Sequence, residues 1–79
     1  MVRFKDETGK EWTAVVAHET TSRHHGTWYM AFQDESGEQF PVPEFRWQTQ
    51  ATGERTLRTM SQFELRRRLN SAVSRRASA

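Results

Sequence analysis

The apolar residues in the first half of the chain alternate. Val2 and Phe4 share one parity, and so do Trp12, Ala14 and Val16, then Trp28, Met30 and Phe32, then Phe40 and Val42. A period of two is what a half-buried strand requires, because successive side chains point to opposite faces. Four strands follow, with these even-numbered residues as their core. The first and second are joined through "FKDETGKEW", the third and fourth through "FQDESGEQF". Each stretch predicts a hairpin in which Asp6 or Asp34 opens a type I turn. Gly9 or Gly37 then takes the left-handed position that makes a bulge, where the absence of a Cβ removes the penalty on positive φ. The likeness spans nine residues. That is turn chemistry used twice rather than a repeat architecture.

Farther on the pattern is harder to read. Pro41 and Pro43 have no N–H to give to a ladder, so the fourth strand is an edge or ends quickly. Residues 19–26, "ETTSRHHG", read as a polar loop. In residues 45–59, Phe45 and Trp47 alternate with Arg46 and Gln48. Here "ATGE" either turns a third hairpin into "RTLRT" or belongs to a loose connection.

The period then changes to that of a helix. Ser61-Gln62-Phe63-Glu64 has the form of a capping box, with Ser61 accepting from the backbone of Glu64 and Glu64 reaching back to Ser61. Met60 and Leu65 bracket it as a hydrophobic staple. Leu65, Leu69, Ala72 and Val73 form one apolar stripe, which predicts a helix over 62–73. Beyond it "SRRASA" has no apolar residue larger than alanine. The expected organisation is one domain over 1–73 and a flexible basic tail over 74–79. The fold class is α+β: an antiparallel β-meander of four or five strands, open or partly closed in an SH3-like way, packed with one C-terminal helix.

Phe4, Asp6, Gly9, Trp12, Trp47, Met60, Ser61, Glu64 and Leu65 together form an order of motifs. It runs from an F-x-D-x-x-G-x-x-W hairpin to a Trp-bearing segment and a short Met-Ser-x-x-Glu-Leu helix. This order resembles that of short uncharacterised bacterial proteins that carry a domain of unknown function. Residues 48–59 are longer than that pattern. The resemblance implies no activity and transfers no functional residue.

Composition narrows the function classes. With 79 residues the chain has room for one small core. It has no cysteine, hence no disulfide and no thiolate for metal or catalysis. No stretch has the apolar length of a signal peptide or a membrane span, so a soluble cytoplasmic protein is expected, a monomer or weak dimer with no membrane partner. Charge is uneven. Residues 1–40 hold four basic and seven acidic residues, net −3, and residues 41–79 hold eight arginines and three glutamates, net +5. A polyanionic partner or a dipolar domain gives such an asymmetry.

Three chemistries are open to these residues. The arginines Arg55, Arg58, Arg67, Arg75 and Arg76 are candidate phosphate contacts, arginine being always charged and bidentate. Against that, the consecutive Arg66, Arg67 and Arg68 spread over about 200° of a helix, and arginine stems cover apolar surface beside a stripe. His24 and His25, with His18 as a third ligand, have no metal-ligand spacing, and in extended backbone adjacent side chains diverge. His18 itself falls on the core parity, where a partly buried imidazole is expected. The serines and carboxylates are accounted for by turns and caps, so no catalytic residue, no metal and no cofactor is expected. What remains is a binding surface. The odd parity of the middle strands carries Thr13, Val15, Ala17, Thr27, Tyr29 and Ala31, less polar than a solvated face. Val15, Ala17, Tyr29 and Ala31 are therefore candidate protein contacts, and Phe63, opposite the helix stripe, is another. The expectation is a small non-catalytic protein-interaction module. The alternative is weak, sequence-neutral nucleic-acid binding through the C-terminal arginines.

Overall fold

The computed structural model describes residues 1–19 and 28–77, with Pro43, Arg76 and Ala77 described in their backbone only. Residues 20–26 of the predicted loop lie outside the described residues, and with them Ser22, His24 and His25; so does Thr27. The elements are β1 (Val2–Lys5), β2 (Glu11–His18), β3 (Trp28–Gln33), β4 (Gln39–Trp47), α1 (Gln50–Thr59) and α2 (Gln62–Ala77). The strands form one antiparallel sheet in the order β1-β2-β3-β4. The sheet is open, with β1 and β4 as its edges, and two helices pack on it where the sequence predicts one.

Both hairpins have the predicted chemistry. Gly9 and Gly37 stand at φ 87° and 90°. The Gly9 N–H donates to the Asp6 carbonyl at 3.1 Å, and the Gly37 N–H donates to the Asp34 carbonyl at 3.1 Å. Each aspartate also gathers the turn around one carboxylate oxygen. Asp6 Oδ1 accepts from Thr8 N–H at 2.9 Å, Thr8 Oγ1 at 2.6 Å and Lys10 N–H at 3.0 Å. Asp34 Oδ1 accepts the equivalent three bonds from Ser36 and Glu38. Asp6 has one bond more: its Oδ2 accepts from the Trp12 indole Nε1–H at 2.9 Å. That bond gives the buried Trp12 its polar partner.

The core lies on the predicted parity. Phe4, Trp12, Ala14, Val16, Met30, Phe32 and Val42 are buried and are joined by Leu57, Leu65, Leu69 and Ala72 from the helices. Phe4 meets Phe32 edge to face at 5.6 Å, and Trp12 meets Phe40 in the same way at 5.5 Å.

β4 is an edge, as its prolines require, yet it does not end quickly. It runs through a register irregularity in which Met30 pairs with Val42 while Tyr29 pairs with Arg46. Pro43, Glu44 and Phe45 are therefore extra residues opposite a single step of β3. The odd insertion reverses parity, as a bulge does. Phe40 and Val42 face the core from even positions; Phe45 and Trp47 pack against it from odd ones.

The segment read as a hairpin or loose connection is α1. Thr49 is its N-cap and accepts from the Thr52 N–H at 3.2 Å. Leu57 is its one fully buried large side chain, and Gly53 lies against Val16 and Trp47. The glycine in "ATGE" serves close helix–sheet approach rather than a turn. Met60, at ψ 135°, breaks the helix before α2 begins.

α2 begins at the expected cap, where Ser61 Oγ accepts from the Glu64 N–H at 3.2 Å. The Glu64 carboxylate instead accepts from Arg68 Nε at 2.9 Å. The helix also continues through Ala77, past the expected end at Val73. Part of the predicted tail is thus helical, and Arg75 holds it down by a two-pronged contact to Glu44 at 2.8 and 3.2 Å. His18 is a further correction: it is exposed at the end of β2, with its ring 4.6 Å from Trp28.

Candidate functional site

The helices cover the even face of the sheet, and α2 runs from the β1 edge to the β4 edge. Its first turns are fixed by Arg66, whose Nε–H donates to the Lys5 carbonyl at 2.8 Å. Its last turn is fixed by Arg75 on Glu44. Between them Arg68 pairs with Glu64 and lies over the Phe45 ring at 4.9 Å. Three of the arginines in "RRRLNSAVSRR" therefore hold the helix to the sheet. The guanidinium of Arg75 keeps the Glu44 carboxyl below its ordinary value, and Glu44 in turn raises Arg75.

The candidate phosphate contacts do not converge. Arg55 and Arg58 are exposed on α1. Arg67 lies near the β1 edge, beside Glu7 and Phe63. Arg75 is at the opposite edge, committed to Glu44. The Arg76 side chain is outside the described residues. A wheel drawn from the sequence shows which way each arginine leaves the helix; it does not show which edge of the sheet each one meets.

The odd-parity patch is also less available than its composition suggests. Ala31 is fully buried, so it offers no contact surface. It pairs with Val15 on one side and Pro41 on the other, and Tyr29 and Gln33 lie two residues away along the same face. A methyl group among four larger side chains is covered by them. Val15, Ala17 and Tyr29 are half-buried. The Arg46 guanidinium lies 6.0 Å from the Tyr29 ring centroid and pairs with Glu19. This face carries polar partners of its own, and it points away from the helix that bears Phe63.

Phe63 differs from every other aromatic residue. The nine Phe, Trp and Tyr residues all fall among the described residues. Eight are buried or half-buried, and Phe63 is 75% exposed. It stands at the second position of α2, off the stripe of Leu65, Leu69 and Ala72. Around it is a hollow of ≈ 250 Å³ formed by Glu7, Arg66, Arg67 and Asn70. Beyond Arg66 lies a second groove of ≈ 400 Å³, walled by Arg3, Phe4 and Lys5 of β1, by Glu11, and by Gln62 and Arg66 of α2. Arg66 is common to both. The sequence singles out Phe63 through its position on the helical wheel. The basic groove depends on residue 3 meeting residue 66, a proximity for which no local pattern gives a signal.

Among the described residues no group of three or more His, Asp or Glu side chains could hold a metal ion, and no helix is long and apolar enough to cross a membrane. Comparison with family models, curated proteins and solved structures finds no significant match.

Proposed function

We propose that this chain is a small non-catalytic interaction module that binds a protein partner, with Phe63 as its anchoring contact. One observation carries the reading: Phe63 is 75% exposed in a molecule that covers its other eight aromatic rings wholly or in part. Aromatic residues are enriched where partners meet, because a large rigid ring gives contact area at little entropic cost. The flanking basic groups give such a contact direction and charge selectivity. Nucleic-acid binding is the weaker reading, since Arg66, Arg68 and Arg75 already have intramolecular partners and the exposed Arg55, Arg58 and Arg67 are spread over two helices.

The test places a photoreactive benzoylphenylalanine at position 63, and for comparison at the exposed Thr52 on α1, in lysate of cells that produce the protein. A discrete protein adduct from position 63 alone is expected. In parallel, a labelled single-stranded oligonucleotide is titrated between about 50 and 200 mM salt. Binding that weakens steeply over that range, with no protein adduct, replaces the reading with the nucleic-acid one.

A further inference from the structure

We propose that the partner segment is an extended peptide with alternating acidic and apolar residues, and that it adds a fifth strand to the sheet along β1. The inference rests on the interaction-module reading and goes beyond it in naming the segment and its mode of binding.

The two edges of the sheet are not equivalent. In an antiparallel ladder alternate residue pairs exchange hydrogen bonds, and the residues between them turn their N–H and C=O outward. In the second hairpin Asp34 N–H bonds to the Glu38 carbonyl, so the pairs Phe32–Phe40 and Met30–Val42 are the bonded ones. Pro41 therefore sits where an N–H would face outward, and the β4 edge lacks a donor there. In the first hairpin Asp6 N–H bonds to the Lys10 carbonyl, so Phe4–Trp12 and Val2–Ala14 are the bonded pairs. Arg3 and Lys5 turn their backbone groups outward, and neither is proline. The bond from Arg66 Nε–H to the Lys5 carbonyl fits that orientation. The Lys5 N–H and both backbone groups of Arg3 face the groove between β1 and α2. This is the geometry in which a sheet edge accepts an added strand.

The side chains around the groove set the sequence that fits. A strand added beside β1 alternates its side chains between the two faces. On the open face it meets Arg3 and Lys5, which are exposed. On the helix face it meets Gln62 and Arg66, and beyond Arg66 the hollow that holds Phe63. Carboxylates fit the first position and apolar side chains the second. Arg66 stands at the edge itself, where its Nε–H is held by the Lys5 carbonyl. Arg3 and Lys5 would be the direct cross-strand neighbours of the added carboxylates, whereas Glu11, 4.0 Å from Arg3, lies one strand farther in on β2.

The experiment uses the full chain and four probes. The first is a labelled synthetic peptide of about ten residues alternating glutamate and leucine. The second replaces glutamate by lysine, the third carries N-methyl groups on alternate amides, and the fourth is oligo-dT. Fluorescence anisotropy reads binding, and amide hydrogen exchange reads Arg3 and Lys5. The glutamate peptide is expected to bind and to slow exchange at both amides. The lysine and N-methylated peptides are expected to bind at least about tenfold more weakly. Arg3→Pro removes the outward donor without removing a ladder bond, and Phe63→Ser removes the apolar contact. Each is expected to weaken binding by about tenfold. Should Arg3→Pro fail to fold, the N-methylated peptide and the exchange data still decide. No binding by the glutamate peptide, equal binding of the lysine peptide, or binding that leaves Arg3 and Lys5 unprotected overturns the proposal. Displacement of the peptide by oligo-dT at equal charge concentration also overturns it and assigns the groove to a nucleic acid. A protein adduct at position 63 combined with failure here keeps the module and removes strand addition; loss of both removes the module.

Discussion

A methyl group added to Gly53 would lie 2.8 Å from Cε3 of Trp47 and 2.9 Å from a methyl of Val16. Neither neighbour can yield easily, because the half-buried indole packs against the core and valine is stiff about χ1. Two effects therefore oppose each other in Gly53→Ala. Helix propensity favours alanine by about 1 kcal/mol. Overpacking a filled site costs about 1–3 kcal/mol. The net expectation is destabilisation of about 1 kcal/mol, seen as a lower urea midpoint at unchanged m-value, with Gly53→Val worse. A variant more stable than the parent would mean that α1 stands farther from the sheet.

Asp6 and Asp34 occupy equivalent turns, and only Asp6 receives an indole N–H. The hydrogen bonds from Thr8, then Trp12, hold the Asp6 carboxyl down at about 2. Asp34 is lowered by its Ser36 bond. A carboxylate whose folded pKa lies below its unfolded value, about 3.9, stabilises the fold above that unfolded value. The contribution is lost as pH falls from about 4 towards about 2. Acid titration followed by the Trp12 indole N–H signal should show this loss in that window. Asp6→Asn should abolish much of it and cost more stability than Asp34→Asn, since an amide can place an N–H rather than an acceptor towards the indole. Equal effects of the two variants would show that the Trp12 bond adds nothing.

The hairpins, the strand parity and the start of α2 were legible because each depends on residues within four positions of one another. Asp6 and Gly9, or Ser61 and Glu64, determine their own geometry. α1 was not legible. It buries one large residue, Leu57, so it shows no apolar stripe, and Gly53 is there for Trp47 and Val16, which the local sequence cannot reveal. The parity change on β4 hid Phe45 and Trp47 for the same reason, as its irregularity is settled by pairing with β3. Of the candidate contacts, Phe63 could be found by its place on the helix. The burial of Ala31 is not legible, because parity says which way a methyl points and nothing about the bulk of its neighbours.

The N-terminus of α2 should depend on Ser61 and little on the Glu64 carboxylate. Ser61 Oγ takes the Glu64 N–H, while the carboxylate pairs with Arg68 at a partly exposed site. Ser61→Ala should therefore cost about 1 kcal/mol. Glu64→Gln should cost less than about 0.5 kcal/mol, the scale of a helical i,i+4 pair. Chemical denaturation of the two variants measures the difference. A Glu64→Gln loss as large as that of Ser61→Ala would restore a full reciprocal capping box.

The contact between Arg75 and Glu44 decides where α2 ends. Val73, Ser74 and Arg75 are exposed, so hydrophobic burial alone ends the helix near 73. What carries it to Ala77 is a bidentate ion pair with both side chains about half exposed, at 50% and 44%. Such a pair contributes at most about 1 kcal/mol, and salt weakens it. Arg75→Gln should thus barely move the global unfolding midpoint. It should speed amide exchange over residues 74–77 several-fold while leaving Leu65 and Leu69 unchanged, and added salt should produce the same local fraying in the parent chain. Glu44→Gln should reproduce the effect from the other partner. The lowered Glu44 carboxyl also sets a pH dependence: the pair is intact above the ordinary carboxylate range and is lost as pH falls through the depressed value. Uniform exchange rates in parent and variants would show that the last turn is held by something other than this pair.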